Sequence, residues 1–213
     1  MSELISVDNI ISSPFQHRRA FDDASLRELA KSIEQDGLIQ PITVRPVNDH
    51  YELIAGERRW RAVKQFTSLP TIAAQVLMVN DLQARRLCAT ENIQRADLTP
   101  LEEIKALAEL VDASLLLEYG DEYEHLSPSQ EPKWRVKMLL TKLAADKANA
   151  TKFMDKFVHK VKEIFDGLPK QKDSESFRVH DLPLLFTDEE VQQFALDQKL
   201  NKSQTRAIDG FSD

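Results

Sequence analysis

The sequence predicts an α+β protein in which a small α/β domain precedes an all-helical one. Three observations carry this. Up to Tyr119, short runs of strand-forming residues alternate with segments of helical period. From Gly120 to Pro132 the composition turns acidic and turn-rich. From Lys133 onward, apolar residues recur at helical spacing and strand patterns stop. The expected division is therefore an α/β domain over 1–119, an acidic linker over 120–132 and a helical domain over 133–213.

The first helix is expected after Asp22 or Asp23, with Leu26, Leu29, Ala30 and Ile33 inward and a stop at Gly37. Strands follow at Ile42 to Arg45 and Tyr51 to Ala55, joined by a turn over Pro46 to His50. A second helix opens at Gly56 or Glu57, a third strand covers Thr71 to Leu77, and a helix runs from about Leu82 to Ile93. Thr99, Pro100 and Glu102 then read as an N-cap, a first-turn proline and a reciprocal cap, opening a helix to about Tyr119.

Beyond the linker, helices are expected over Lys133 to Ala145, from about Ala148 to Phe165, over Glu175 to Leu185 and after Asn201. Thr187-Asp188-Glu189-Glu190 reads as another capping box.

The chain has 213 residues, 42% hydrophobic and 30% charged, which is an ordinary globular composition. No apolar run approaches the roughly 20 residues of a membrane span, and Met1-Ser2-Glu3-Leu4 lacks a signal-peptide pattern, so a cytoplasmic location without membrane contact is expected. Cys88 is the single cysteine and reads as a small buried hydrophobe; the five histidines show no metal-ligand spacing. The net charge of -7 is unevenly spread: 99–131 holds nine acidic residues against one lysine, and 132–178 holds twelve basic against six acidic. A locally basic surface on an acidic chain remains compatible with DNA binding.

Two short segments carry the chemistry. Gly56-Glu57-Arg58-Arg59-Trp60-Arg61-Ala62 lies at a strand-to-helix corner, and Glu91-Asn92-Ile93-Gln94-Arg95-Ala96-Asp97-Leu98 at a helix end. If they share one pocket, they supply four arginines, the Glu57 and Glu91 carboxylates and the Asn92 amide. Guanidinium forks grip phosphate oxygens, a glycine lets a ligand approach the backbone, and a helix N-terminus adds partial positive charge. A carboxylate beside an amide suits the Mg2+ that accompanies a nucleoside triphosphate. Taken alone, an Arg-Arg-x-Arg run at a helix start also reads as a solvated basic face. Trp60, beside Ala62 and Val63, reads as core packing.

In their order, with Pro14-Phe15-Gln16-His17-Arg18-Arg19 and Gly37 to Arg45 ahead of them, these motifs resemble the ParB/Spo0J-like partition family from about Ile5 to about Ala108. The resemblance implies a ParB/sulfiredoxin-like α/β fold; the loop carries Glu57 where a sulfiredoxin needs a reactive cysteine. It implies binding of CTP with Mg2+ and slow hydrolysis to CDP and phosphate, coupled to a clamp that closes around centromere-like double-stranded DNA. Position by position, it implies that Gly56, Glu57, Arg58, Arg59 and Arg61 form one phosphate motif, with Glu91, Asn92 and Arg95 the second. Gln40, Pro41 and Ile42 match the segment that helps hold the base. Glu57, Glu91 and Asn92 are the catalytic candidates, and Glu91 and Asn92 the metal ligands.

The resemblance also implies a helix-turn-helix domain, a homodimer and a ParA-type ATPase partner in plasmid or chromosome partition, at the nucleoid or on a plasmid. The stretch from Leu182 to Ser203 is similar to the family's closing segment, whereas Ser127 to Phe177 is not. Lys152, Lys156 and Lys160 on one helical stripe, with Ser176, Arg178 and His180, are the DNA-binding candidates. A transcription regulator of the same fold without turnover, and a nuclease, are the rival readings. The family's separate dimerisation domain would follow a flexible linker; here the chain reaches Asp213 soon after the helix-turn-helix-like region, so either truncation or pairing of the N-terminal domains is expected.

Overall fold

The computed structural model describes residues 2–15, 22–95, 98–145, 152–169 and 172–209. It divides into two compact units, Met1–Cys88 and Ala89–Asp213.

In the first unit, strands β1 (Glu3–Ser6), β2 (Ile10–Ile11), β3 (Ile42–Val47), β4 (His50–Ala55) and β5 (Thr71–Val76) form a sheet of order β1-β5-β3-β4-β2. β3 and β4 are an antiparallel hairpin with Val47 opposite His50. The expected five-residue turn is thus shorter: both strands extend, and Asn48, at φ 51°, takes the left-handed conformation that such tight turns favour. β5 runs parallel to β3 and β2 parallel to β4, while β1 lies antiparallel to β5. The two N-terminal strands went unpredicted, since they are too short to show a period.

Helix α1 (Asp23–Asp36) begins with Asp22 accepting the Ser25 N–H and ends at Gly37, whose φ is 79°. α1 and α2 (Glu57–Phe66) share a core with the sheet, built on Leu26, Ala30, Ile33, Ile42, Val44, Leu53, Trp60, Val63 and Ile72. Trp60 is buried and its indole N–H donates to the Val7 carbonyl at 3.3 Å, so it is a core residue. Alternation along β4 turns Ile54 away from Leu53, toward Ala84 and Cys88 of α3 (Asp81–Ile93). Cys88 is buried there, as the sequence suggests. Arg45 and Glu52, directly opposed across the hairpin, form a buried pair at 2.7 Å.

The second unit is helical: α4 (Pro100–Leu126), α5 (Pro132–Ala145), α6 (Lys152–Asp166), a short α7 (Ser174–Ser176), α8 (Glu189–Asp197) and α9 (Lys202–Asp209). Both bonds of the Thr99–Glu102 capping box form at the start of α4.

Three expectations are corrected here. Of the expected linker 120–132, residues 120–126 are helix and 127–131 are the short connection to α5. α4 passes through a kink at Gly120 (φ 44°, ψ -121°) and continues to Leu126. Asp121, Glu122 and Glu124 are its solvent face, while Tyr123 between them is fully buried.

Second, Glu175 to Leu185 is not one α-helix. A π turn at Phe177–Asp181 and a 3-10 turn at Leu182–Phe186 follow α7, with Pro183 having no N–H to continue an α ladder. Third, Thr187 does not cap α8, because its hydroxyl donates to the Leu184 carbonyl at 3.0 Å. The reciprocal cap lies at α9 instead, where Asn201 and Gln204 exchange side-chain and backbone bonds.

Opposite charges hold this unit together. Asp112, fully buried, receives two bonds of 2.6 Å from the Arg135 guanidinium and one of 3.0 Å from the Tyr123 hydroxyl. The carboxylate holds Arg135 above its ordinary pKa, and Arg135 also reaches the Ser129 carbonyl. The kinked end of α4 is thereby tied to α5.

Candidate functional site

Gly56 is the corner of the first motif. Its φ of 98° is left-handed, and a Cβ there would stand 2.8 Å from Ile42 Cγ2 and 3.1 Å from Arg59 Nη2. Only glycine satisfies both the backbone and the space. It sits at the N-cap of α2 without a side chain to fill that role, so the amides of the first turn stay open toward the corner.

The arginines of α2 diverge from this corner. Arg58 is exposed and donates to Ser25 Oγ of α1 at 2.9 Å. Arg59 Nη1 donates to two consecutive carbonyls, Gln40 at 2.5 Å and Pro41 at 2.9 Å. Arg61 Nε bonds Glu57 at 2.7 Å one turn back, and Ser12 donates to the same carboxylate at 3.1 Å. Glu57 is buried, with 6% exposure. Its carboxylate is committed to Arg61 and Ser12, which gives it a structural post at the helix start.

Gln40, Pro41, Ile42, Gly56, Glu57, Arg58, Arg59 and Arg61 thus lie close together within the first unit. Ser12 and Ser25 complete the arrangement and were missed in the sequence, because they meet Glu57 and Arg58 only through tertiary packing. His17, Arg18 and Arg19 lie outside the described residues.

The second motif belongs to the second unit and closes α3. The Gln94 and Arg95 amides bond the Glu91 and Asn92 carbonyls at 3.2 Å, a tight final turn. Asn92 is 2% exposed, and its Oδ1 is buried with no hydrogen-bond partner. Such an oxygen is costly unless a ligand takes it up. It suits a hard cation, with Glu91 beside it in sequence and half-buried. Among the described residues no cluster of three or more acidic, histidine or cysteine side chains offers a self-sufficient metal site. Arg95 is half-buried at the end of the motif.

The DNA-binding candidates are less available than their charges suggest. Lys156 pairs with Glu122, and Lys160 with Glu118 at 2.7 Å and Glu163 at 3.0 Å. The Lys160 pKa is raised by Glu118, and that of Glu118 lowered by Lys160. The Lys152 side chain lies outside the described residues. Ser176 and His180 are exposed, while Arg178 is held by Glu175 at 2.7 Å.

One basic surface escaped the sequence reading. Trp134, 41% exposed, meets Phe186 edge-on at 4.4 Å, and Lys137 stands 4.1 Å from the Phe186 ring centre. Lys133 and Lys137 flanking a tryptophan on one helix was the available signal.

Comparison with known proteins finds similarity around the first motif. The ParB N-terminal domain family matches residues 2–93. A probable chromosome-partitioning protein ParB from Pseudomonas putida is 50% identical over 107 residues, 50% of this chain and 37% of the relative. A nucleoid occlusion protein from Shouchella clausii is 46% identical over 110 residues, 51% of this chain and 38% of the relative. The chain thus spans well under half the length of these relatives. Among solved structures, a Pnob8-like ParB-N domain is 15% identical and aligns over 96% of this chain and 77% of its own, with a TM-score of 0.58, which shows a shared fold. Over residues 2–93 this chain is thus similar to the ParB N-terminal domain family.

Proposed function

We propose that the chain is a ParB-type DNA-partition protein that binds CTP with Mg2+, turns it over slowly to CDP and phosphate, and uses the nucleotide to gate a homodimeric clamp on double-stranded, centromere-like DNA. The observation that carries the reading is the glycine corner at Gly56: three arginines follow it on one helix, in a stretch similar to the ParB N-terminal domain with partition proteins among its relatives. The nucleotide identity follows the family resemblance of both motifs.

Arg58 is the best placed phosphate donor, since it donates to a neutral serine hydroxyl that a charged ligand outcompetes. Arg95 supplies a second guanidinium. Glu91 and the unsatisfied Asn92 oxygen would hold the cation, which when bound shields phosphate charge. Lys156 and Lys160 reach phosphate only by exchanging their glutamate partners, so DNA contact through α6 competes with α4. Ser176, Arg178 and His180 remain the groove-facing candidates, and a ParA-type ATPase the partner.

Titration of the purified protein with CTP, ATP, GTP and UTP in Mg2+, followed by phosphate release and sedimentation with DNA, tests the reading. Selective CTP binding and a tighter dimer with CTP and DNA support it. A monomer under every condition removes the clamp and leaves a transcription regulator of the same fold. The nucleoid occlusion relative matches over a similar stretch, so the domain itself does not separate that role from partition.

A further inference from the structure

Arg59 has been grouped with the phosphate-binding arginines, but its geometry gives it other work. One guanidinium nitrogen, Nη1, donates at once to the Gln40 carbonyl (2.5 Å) and the Pro41 carbonyl (2.9 Å). Gln40 lies in a bend just before β3, where both carbonyls turn to the same nitrogen, and a single donor shared by them fixes the backbone between them. The other terminal nitrogen, Nη2, lies 3.1 Å from where a Gly56 Cβ would stand, and Ile42 Cγ2 lies 2.8 Å from the same point. Gly56, Arg59, Gln40, Pro41 and Ile42 are therefore one packed unit, in which the missing Cβ makes room for the guanidinium and the guanidinium holds the loop.

We infer that Arg59 is a positioning residue that sets the Gln40–Pro41 segment as a base-selecting edge, and is not a phosphate ligand. The inference rests on the nucleotide-binding reading above. Each carbonyl oxygen bound by Arg59 keeps a second lone pair. An acceptor held rigidly in place favours a base that presents an exocyclic amine and repels one that presents a keto oxygen there. A mobile carbonyl discriminates less, because it turns away from the keto oxygen at little cost.

The test compares Arg59→Ala and Arg59→Lys with Arg58→Ala in the full chain. Calorimetric titration with CTP and UTP should show the preference for CTP falling about tenfold or more in Arg59→Ala, with Arg59→Lys partly restoring it. Arg58→Ala should weaken both nucleotides by a common factor and leave their ratio unchanged. An equal loss for CTP and UTP in Arg59→Ala, with the ratio intact, overturns the inference in favour of a phosphate role. A second measurement needs no nucleotide: NMR order parameters of the Gln40 and Ile42 amides in the ligand-free protein should drop toward the mobile range, below about 0.6, in Arg59→Ala alone. Unchanged order parameters overturn the inference even where no binding is measurable. If the unsubstituted protein binds no nucleotide, the functional reading fails, and the order parameters still decide the positioning role.

Discussion

Charge is used differently in the two units, and the contrast explains which parts of each are visible in the sequence. In the first, the motif residues Gly56 to Arg61 are consecutive, and their arrangement follows from one local constraint, a left-handed glycine at the start of a helix. In the second, an acidic stretch and a basic stretch that look like separate modules are the two sides of one packed surface, with Glu118 against Lys160 and Glu122 against Lys156. A run of like charges in sequence therefore marks a face, and its partner decides whether that face is solvent, ligand or another helix.

The sharpest way to break the second unit is Asp112→Ala. It leaves the Arg135 guanidinium buried and unpaired and strips the Tyr123 hydroxyl of its acceptor, a loss of about 3–5 kcal/mol. Denaturant unfolding, with hydrogen exchange across α4 and α5, measures it; a near-neutral effect would mean that the clamp is dispensable. Replacing the first unit's corner, Gly56→Ala, is expected to cost about 2–4 kcal/mol from the left-handed backbone and the contact with Ile42. The same unfolding experiment reads it.

Arg58→Ala separates function from fold in the first unit. CTP affinity should fall by roughly 1.5–3 kcal/mol while the melting temperature hardly moves, since the bond to Ser25 is exposed. Unchanged affinity in calorimetry would take this arginine out of the site. Thr99→Ala should cost only about 1 kcal/mol, as the hydroxyl's bonds with the Glu102 amide and carboxylate are lost at a partly buried helix end while the residue 99 N–H keeps the Glu102 carboxylate.

The smallest effect concerns the α4–α6 surface. Burial, together with the adjacent Glu118 carboxylate, pushes the Tyr119 phenol from an ordinary 10 up to about 12. Between those values the unfolded chain ionises this tyrosine and the native state retains its proton. The associated stability is present below pH 10 and lost as pH rises toward 12. Tyr119→Phe should flatten that alkaline loss in pH-dependent unfolding; an unchanged slope would place the alkaline sensitivity elsewhere.

By itself the sequence determined what depends on local chemistry: α1 ending at Gly37, the Thr99–Glu102 cap, the hairpin strands and the motif at Gly56. Each follows from a few neighbouring residues whose preferences agree. Tertiary structure alone decided the rest. It paired β1 and β2, too short for any period to show, and turned 120–126 from expected linker into helix by burying Tyr123 against Asp112. It gave Arg58 and Arg59 distant partners, Ser25 and the Gln40–Pro41 carbonyls, while Arg61 bonds Glu57 one turn back, although in sequence the three look alike. The physical reason is range: a cap or a turn is settled within about four residues, whereas a buried charge is settled by whichever distant group the packing brings to it.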